Sequence, residues 1–427
     1  MKSMWAGVCF LALGFAGAVS AEILIKPNDA NINYYGRFDF SNSASTVPFN
    51  WPGAIIEARF SGPSIGVELT DGGGYFNVEI DGVKQDSLAP TSTTHRTLKT
   101  NLSTDIHTIR ITLRANGVNC AFGGFYLADG NSLVAPPTKP TRKIEYIGDS
   151  WTAGDVIGQT STPIDQKYFN APLTYARRTT EAFHAQDIIA ARGGVGLVKS
   201  QGGAAVISTR YPKTLCDGTT NWNFASWIPD LVVLSLGIND STIGGVTDTA
   251  FRAAYRALIT TVRGNYPNVP LILMGISGTN LRNVNVVATF FPGITMFSSP
   301  ITLANAKALY SHPNKAQHQQ IADSLVPVVM QVMGWDTASV TGIRAHVAGR
   351  NARDDGVAIL KTSMDVLVFP PEFSGLAKEL IVYDYSGREL RRFSTEKQTF
   401  LLSEDAKLSL GTYFIRTKIA EKNKYRN

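Results

Sequence analysis

Long apolar runs are missing from this sequence once its first 21 residues are passed. No later segment has about 18 uninterrupted apolar residues, the length a helix needs to cross a bilayer, so an integral membrane protein is not expected. Cysteine is scarce, three in 427 residues. Cys9 falls in the apolar leader, which leaves Cys120 and Cys216. Outside the cytoplasm these two can pair; as separate buried thiols they need no partner, and their wide separation has no spacing signal. No Cys/His cluster has zinc spacing, so no metal is expected. Charged residues are few, 17% of the chain. Their small basic excess forms no stripe interleaved with aromatics, and nucleic acid is not an expected partner. Long internal repeats and low-complexity tracts are also absent.

The leader itself is informative. Lys2 supplies a positive start, Met4–Ala18 is apolar and uncharged, and Val19-Ser20-Ala21 ends the run on small residues before Glu22. This is the pattern of a secretory signal peptide over 1–21, with an apolar core too short for a stable membrane anchor. Cleavage after Ala21 removes one of the 40 basic residues and none of the 34 acids, so the charge becomes 39 − 34 = +5. A secreted, extracellular or cell-surface protein is expected.

A chain of this length holds two or three domains of about 100–200 residues. Residues 22–131 show short alternating runs at Ala54–Phe60, Ser64–Thr70, Tyr75–Ile80, Thr108–Leu113 and Phe122–Leu127. Turn residues such as Asp71-Gly72-Gly73-Gly74 and Asp81-Gly82 separate them. Many short strands without helical periods predict a β-sandwich or jelly roll. Three prolines among Pro136-Pro137-Thr138-Lys139-Pro140 predict a stiff linker over 132–142. The pattern then changes. Apolar strands are expected at Ile144–Ile147, Leu231–Leu236 and Pro270–Met274, and helices at Leu173–Phe183, Thr249–Tyr266 and from about Lys315 to Val332, with Pro313 in the first turn. Strands alternating with helices predict an α/β domain over 143–335 with a central parallel sheet. From Gly342 to the end, short strands return at Val357–Lys361, Asp365–Phe369, Glu379–Tyr383 and Tyr413–Thr417, a small C-terminal β-module over 342–427.

Four blocks can do chemistry. Ester cleavage by a nucleophile needs a proton acceptor and donors for the oxyanion. Ser150 ends the run Gly148-Asp149-Ser150 at the carboxyl edge of an expected parallel strand, where active groups collect in α/β folds. Gly193-Gly194-Val195-Gly196 lets backbone N–H groups approach a ligand closely. It lacks the strand-to-helix fingerprint of a dinucleotide site, so no cofactor is expected. Asn239, in Gly237-Ile238-Asn239-Asp240, follows the strand Leu231–Leu236 and has an amide that can donate to an oxyanion. His312, in Ser311-His312-Pro313, lies just before a helix and 162 positions after Ser150. Taken singly, each block also reads as an ordinary cap, turn or loop. His318, the nearest rival histidine, falls inside the helix and is expected to pack or face solvent.

In this order the four blocks resemble the SGNH (GDSL) hydrolase superfamily. Tyr35-Gly36-Arg37-Phe38, Trp51-Pro52-Gly53, Ala58-Arg59-Phe60, Ile80-Asp81-Gly82 and His107-Thr108-Ile109-Arg110 further resemble the jelly-roll domain that precedes the hydrolase in carbohydrate esterase family 2, over roughly residues 33–333. The resemblance implies a serine esterase that removes acetyl groups from plant-wall polysaccharide such as xylan or glucomannan, without cofactor or metal. It implies Ser150 as nucleophile and His312 as general base. The Ser150 N–H, the Gly194 N–H and the Asn239 side chain would form the oxyanion hole, and Asp149 and Asp240 would anchor loop amides.

The sequence departs from the superfamily at one point. An Asp usually stands two or three residues before the histidine, and here those positions are Tyr310 and Leu309. Either a backbone carbonyl or an acid from elsewhere must hold the imidazole, and the carbonyl is the favoured expectation. The missing acid also leaves room for a non-catalytic carbohydrate-binding protein on a hydrolase fold. A lipase-like or peptidoglycan O-acetylesterase is the alternative within enzymes. Tyr383-Asp384-Tyr385-Ser386-Gly387-Arg388 and Leu410-Gly411-Thr412-Tyr413 resemble C-terminal sorting domains of secreted Gram-negative proteins; an accessory glycan-binding sandwich is the other reading of that module. Nothing in the sequence bears on oligomeric state.

Overall fold

The computed structural model describes residues 21–337 and, beyond them, only the strands of a separate C-terminal unit. Residues 1–20 of the expected signal peptide lie outside the described residues, as do Ser386-Gly387 and Leu410-Gly411 of the sorting-domain resemblance.

An antiparallel β-sandwich comes first. Its strands are β1 (Glu22–Ile25), β2 (Ile32–Tyr35), β3 (Val47–Phe49), β4 (Ile55–Ser61), β5 (Ile65–Thr70), β6 (Phe76–Ile80), β7 (Val83–Lys84), β8 (His95–Lys99), β9 (Ile106–Leu113), β10 (Cys120–Ala128) and β11 (Leu133–Val134). One sheet runs β1-β10-β5-β8 with β3 also on β10; the other runs β11-β4-β9-β6-β7 with β2 on β4. Strict alternation decides which face is buried. In β5, Ile65, Val67 and Leu69 are buried while Glu68 and Thr70 point outward. They meet Ile56, Ala58, Val78, Ile109 and Ile111 of the facing sheet, and each such aliphatic side chain contributes about 1.5–3 kcal/mol on full burial.

The linker expected over 132–142 begins inside this sandwich. Leu133 and Val134 pair with Phe60 and Arg59. A two-residue strand is too short to show alternation, so its pattern is invisible in sequence. Farther along, the Pro137 carbonyl accepts from Asn33 Nδ2 at 2.8 Å, and Lys139 Nζ donates to the Tyr34 carbonyl at 2.9 Å. The proline segment is tied down along the sandwich.

The α/β domain has a parallel sheet of β12 (Lys143–Gly148), β13 (Gln186–Ala191), β14 (Leu231–Ser235), β15 (Leu271–Gly275) and β16 (Thr295–Ser298), in the order β13-β12-β14-β15-β16. Helices cover both faces: α1 (Ser150–Ala153), α2 (Tyr175–Ala182), α3 (Ile207–Arg210), α4 (Ile238–Ile243), α5 (Asp248–Asn265), α6 (Gly278–Ala288) and α7 (Lys315–Met333). The strands are buried on both sides. Ile144, Tyr146, Ile272 and Met274 face the α2 and α7 side, and Ile147, Leu234 and Leu273 face the α5 and α6 side. Continuous apolar strands are the expected signature of such a sheet. Helix α5 buries Phe251, Tyr255, Leu258, Ile259 and Val262, a single stripe at helical spacing.

Pro313 does not open α7. Asn314 is the N-cap, in a reciprocal capping box with Gln317, and the proline precedes it. Strands β13 and β16 and helix α6 were not legible in the sequence; β16 alternates weakly and α6 begins on Gly278 with no side-chain cap.

Sandwich and α/β domain form one compact unit. Arg37 crosses between them. Its guanidinium pairs with Glu145 of β12 at 2.8 Å, both side chains fully buried, and lies 5.1–5.6 Å from the ring centres of Trp51, Tyr211, Trp222 and Phe224. Cys120 and Cys216 are separate buried thiols. The Cys120 thiol donates to the Asp71 carbonyl at 3.1 Å. The C-terminal unit contains β17 (Val357–Lys361), β18 (Val366–Val368), β19 (Lys378–Tyr383), β20 (Glu389–Thr395), β21 (Thr399–Leu401) and β22 (Thr412–Ile419), with β17-β22-β19-β20 in one antiparallel sheet.

Candidate active site

Strand β12 has its parallel partners β13 on one side and β14 on the other. Chain order reverses there, and the carboxyl ends of strands at such a point form a ready crevice. Three of the four sequence blocks leave from these ends: Ser150 after β12, the glycine block after β13, and Asn239 after β14.

Ser150 sits on the first residue of α1, almost wholly buried. Asp149 caps that short helix, its Oδ1 accepting the Trp151 N–H at 3.1 Å. Burial pushes the Asp149 carboxyl up to about 7. The turn is tight because Gly148 has no side chain. A Cβ there would fall 2.0 Å from Thr152 Oγ1, which is itself 2.7 Å from the Tyr175 hydroxyl.

His312 arrives on the segment between β16 and α7. Its Nε2 lies 2.7 Å from Ser150 Oγ, and its Nδ1 lies 2.8 Å from the Leu309 carbonyl oxygen. A carbonyl can only accept, so Nδ1 carries the proton and Nε2 is left to accept from the Ser150 hydroxyl. The local chain makes this possible by a sharp reversal. Tyr310 and Ser311 both adopt left-handed backbone, with φ of 53° and 56°, which folds the Leu309 carbonyl back toward the ring. Two non-glycine residues in that region cost roughly 1–2 kcal/mol each. The surroundings hold them there. The Leu309 N–H donates to the Gln159 carbonyl at 2.7 Å, and the Ala308 N–H to the His312 carbonyl at 2.8 Å. Gln317 secures the approach, its Oε1 accepting from the Lys307 and Asn314 N–H groups and its Nε2 donating to the Asn305 carbonyl. Burial lowers the His312 value below the ordinary imidazole range, against the carbonyls of Leu309 and Tyr310, which raise it.

Asn239 joins the glycine block. Its Nδ2 donates one hydrogen bond to the Val195 carbonyl at 2.7 Å, and a primary amide has a second N–H to offer. Asp240 accepts from the N–H groups of Leu197, Val198 and Lys199 at 2.7–3.0 Å, which stitches the loop beyond the glycines to α4. Gly194 is left-handed at φ 73°. Among the described residues, neither the Ser150 N–H nor the Gly194 N–H donates to a protein acceptor. His318 stands apart: it is buried in α7 and accepts the Tyr175 N–H on Nδ1 at 3.2 Å, and burial drives it down to about 3. The described residues contain no group of three His, Cys, Asp or Glu side chains able to hold a metal.

Such a constellation can pass an acyl group through the serine. The hydroxyl has an imidazole nitrogen as acceptor, and the glycine block and Asn239 follow the strands that flank β12. Neither the Leu309 carbonyl as the specific acceptor nor Gln159, whose backbone supports Leu309, is legible in the sequence. A carbonyl is common to every residue, so nothing in the sequence could mark this one.

Comparison with known proteins agrees with the architecture. The family described as Carbohydrate esterase 2 N-terminal matches residues 34–137, and the GDSL-like Lipase/Acylhydrolase family matches residues 146–341. The chain is similar to the cellulase/esterase CelE of Acetivibrio thermocellus, 30% identical over 341 residues, which cover 74% of this chain and 41% of that protein. It therefore spans less than half the length of that relative. It is also similar to an acetylxylan esterase/glucomannan deacetylase of Cellvibrio japonicus, 25% identical over 346 residues, covering 74% of this chain and 93% of that one. The structure of a family two carbohydrate esterase from Clostridium thermocellum, in complex with cellohexaose, is similar at 29% identity with a TM-score of 0.66, over 71% of this chain and 99% of that one. With a Carbohydrate esterase 2 N-terminal domain and a GDSL-like hydrolase domain joined in one unit, the chain matches the carbohydrate esterases of family 2.

Proposed function

We propose that this protein is a secreted O-acetylesterase that removes acetyl groups from plant-wall polysaccharide. Ser150 is the nucleophile, His312 the general base, and the Ser150 N–H, Gly194 N–H and Asn239 amide the oxyanion donors. The observation that carries the reading is the hydrogen-bonded series Ser150 Oγ, His312 Nε2, His312 Nδ1 and Leu309 carbonyl, at 2.7 and 2.8 Å. Ser150 Oγ attacks the acetyl carbonyl as its proton passes to Nε2. The sugar hydroxyl leaves with that proton, and an acetyl-serine remains. Water repeats the sequence, giving acetate and free serine. The names of the relatives support xylan and glucomannan as substrates, and the leader Lys2–Ala21 supports export.

The test is acetate release from acetylated xylan and glucomannan, alongside aryl esters of increasing acyl length. Ser150→Ala should lower kcat by several orders of magnitude, since no other group here can form the acyl-enzyme. Acetyl esters should be favoured strongly over octanoyl esters, because overfilling a small pocket typically costs about 1–3 kcal/mol. Undiminished turnover by folded Ser150→Ala would refute the nucleophile, and equal rates on acetyl and octanoyl esters would make the protein a lipase.

A further inference from the structure

The sandwich sends one loop into the candidate active site. It follows β9 and contains Asn116, which meets the glycine block beyond β13, and Gly117, which meets Arg192 just before that block. Asn116 is nearly buried, and its Oδ1 accepts the Gly193 N–H at 2.9 Å. Its Nδ2 donates to Asp155 Oδ1. Gly117 is left-handed, and a Cβ on it would fall 2.9 Å from the Arg192 guanidinium. Arg192 immediately precedes Gly193, so two adjacent sandwich residues dock on two adjacent residues of the loop.

Asp155 closes the arrangement from the other side. It follows the nucleophile helix, and its N–H donates to the Ser150 carbonyl at 3.1 Å. A side chain at position 193 would displace the Asp155 carboxyl, since a Cβ there would lie 2.1 Å from Asp155 Oδ2. The amide of Asn116 thus spans the two segments that flank Ser150, and a primary amide suits this place because one end donates while the other accepts. The carboxylate on one side and the peptide N–H on the other determine which way the amide faces.

We propose that Asn116 is a positioning residue for the oxyanion loop, and hence that the sandwich is a working part of the active site. Asn116 touches no reacting atom. It holds the Gly193 peptide, and through it the direction of the Gly194 N–H, relative to Ser150. Asp155 holds Asn116 in the orientation that presents its oxygen to Gly193. This role rests on the esterase reading for its catalytic consequence, but the placement of the loop does not depend on that reading.

The test uses the full chain and three variants. Asn116→Ala removes the bridge and should lower kcat on an aryl acetate about 10–100-fold, below the usual effect of deleting an oxyanion donor outright, with KM little changed. Hydrogen–deuterium exchange should accelerate in residues 192–196. The double variant Asn116→Asp with Asp155→Asn exchanges the two side-chain roles. Its carboxylate at 116 accepts from both the Gly193 N–H and the new amide at 155, so it should restore most of the kcat and the slow exchange. Ser150→Ala should abolish turnover without altering exchange in 192–196. Folded Asn116→Ala with unchanged kcat, unchanged exchange, or a defect confined to KM would overturn the proposal. If Asn116→Ala fails to fold, the double variant decides alone: native exchange with wild-type kcat upholds the proposal, and loss of kcat with native exchange overturns it. A wild-type protein without esterase activity would sink the esterase reading instead, and the exchange measurement would still decide whether Asn116 holds the loop.

Discussion

Burial and hydrogen bonding act in opposite directions on the proton of His312. The low-dielectric surroundings disfavour the imidazolium, and the carbonyls of Leu309 and Tyr310 favour it; burial wins, and the value falls below 6.5. On the proposed mechanism the neutral ring is the active form. A depressed value keeps the ring neutral as pH drops, so activity should persist below the pH at which an ordinary histidine would charge. The acid limb of kcat/KM reports the free enzyme, and its midpoint should lie below 6.5. A midpoint above 6.5 would mean that a carboxylate, not a carbonyl, dominates the ring's environment. Ser150 and His312 were legible in the sequence because their blocks carry chemistry in a fixed order. Leu309 was not, since a backbone carbonyl has no residue identity.

At the scale of the element, the turn from β12 into α1 determines where Ser150 points. Gly148 lets Thr152 close over it, and Thr152 is anchored to Tyr175 of α2. Gly148→Ala would place its methyl inside a normal contact distance of a buried, hydrogen-bonded side chain. The helix must then shift, at about 1–3 kcal/mol of stability for the overpacking. Since a misplacement of about 1 Å can cost 10²-fold in rate, kcat on an aryl acetate should fall by about that factor. Equal kcat in the folded variant would show that Ser150 is positioned by something other than this turn. The strands β12, β14 and β15 were readable as apolar runs, because burial on both faces removes the need to alternate. Strand β13, Gln186–Ala191, was missed: it opens with Gln186 and Asp187 and has little apolar bulk, although all six residues are buried.

At the scale of the whole molecule, Arg37 and Glu145 join sandwich to hydrolase with no solvent contact. Removing one member of a fully buried pair leaves a charge uncompensated, typically at a cost of about 3–5 kcal/mol. Arg37→Ala should therefore lower the unfolding midpoint sharply, and replacing both partners with apolar residues should recover much of the loss. Because the two domains share this pair, the aromatic rings around Arg37 and the Asn116 bridge, residues 21–335 should unfold in one transition. Tryptophan fluorescence and loss of esterase activity should coincide on heating. Two separated transitions would show that the interface contributes little.

The sequence by itself determined the fold class of each domain, sandwich and parallel α/β, and the order of the candidate blocks. Those depend on period, turn residues and local order, which are properties of neighbours along the chain. Only the tertiary structure decided what orients His312, which loop holds the glycine block, and that Arg37 finds Glu145 108 positions away. Each of these rests on a backbone carbonyl or a single polar side chain whose partner is distant in sequence. Such a residue has no pattern of its own until folding brings its partner within about 3 Å, the range over which a hydrogen bond acts.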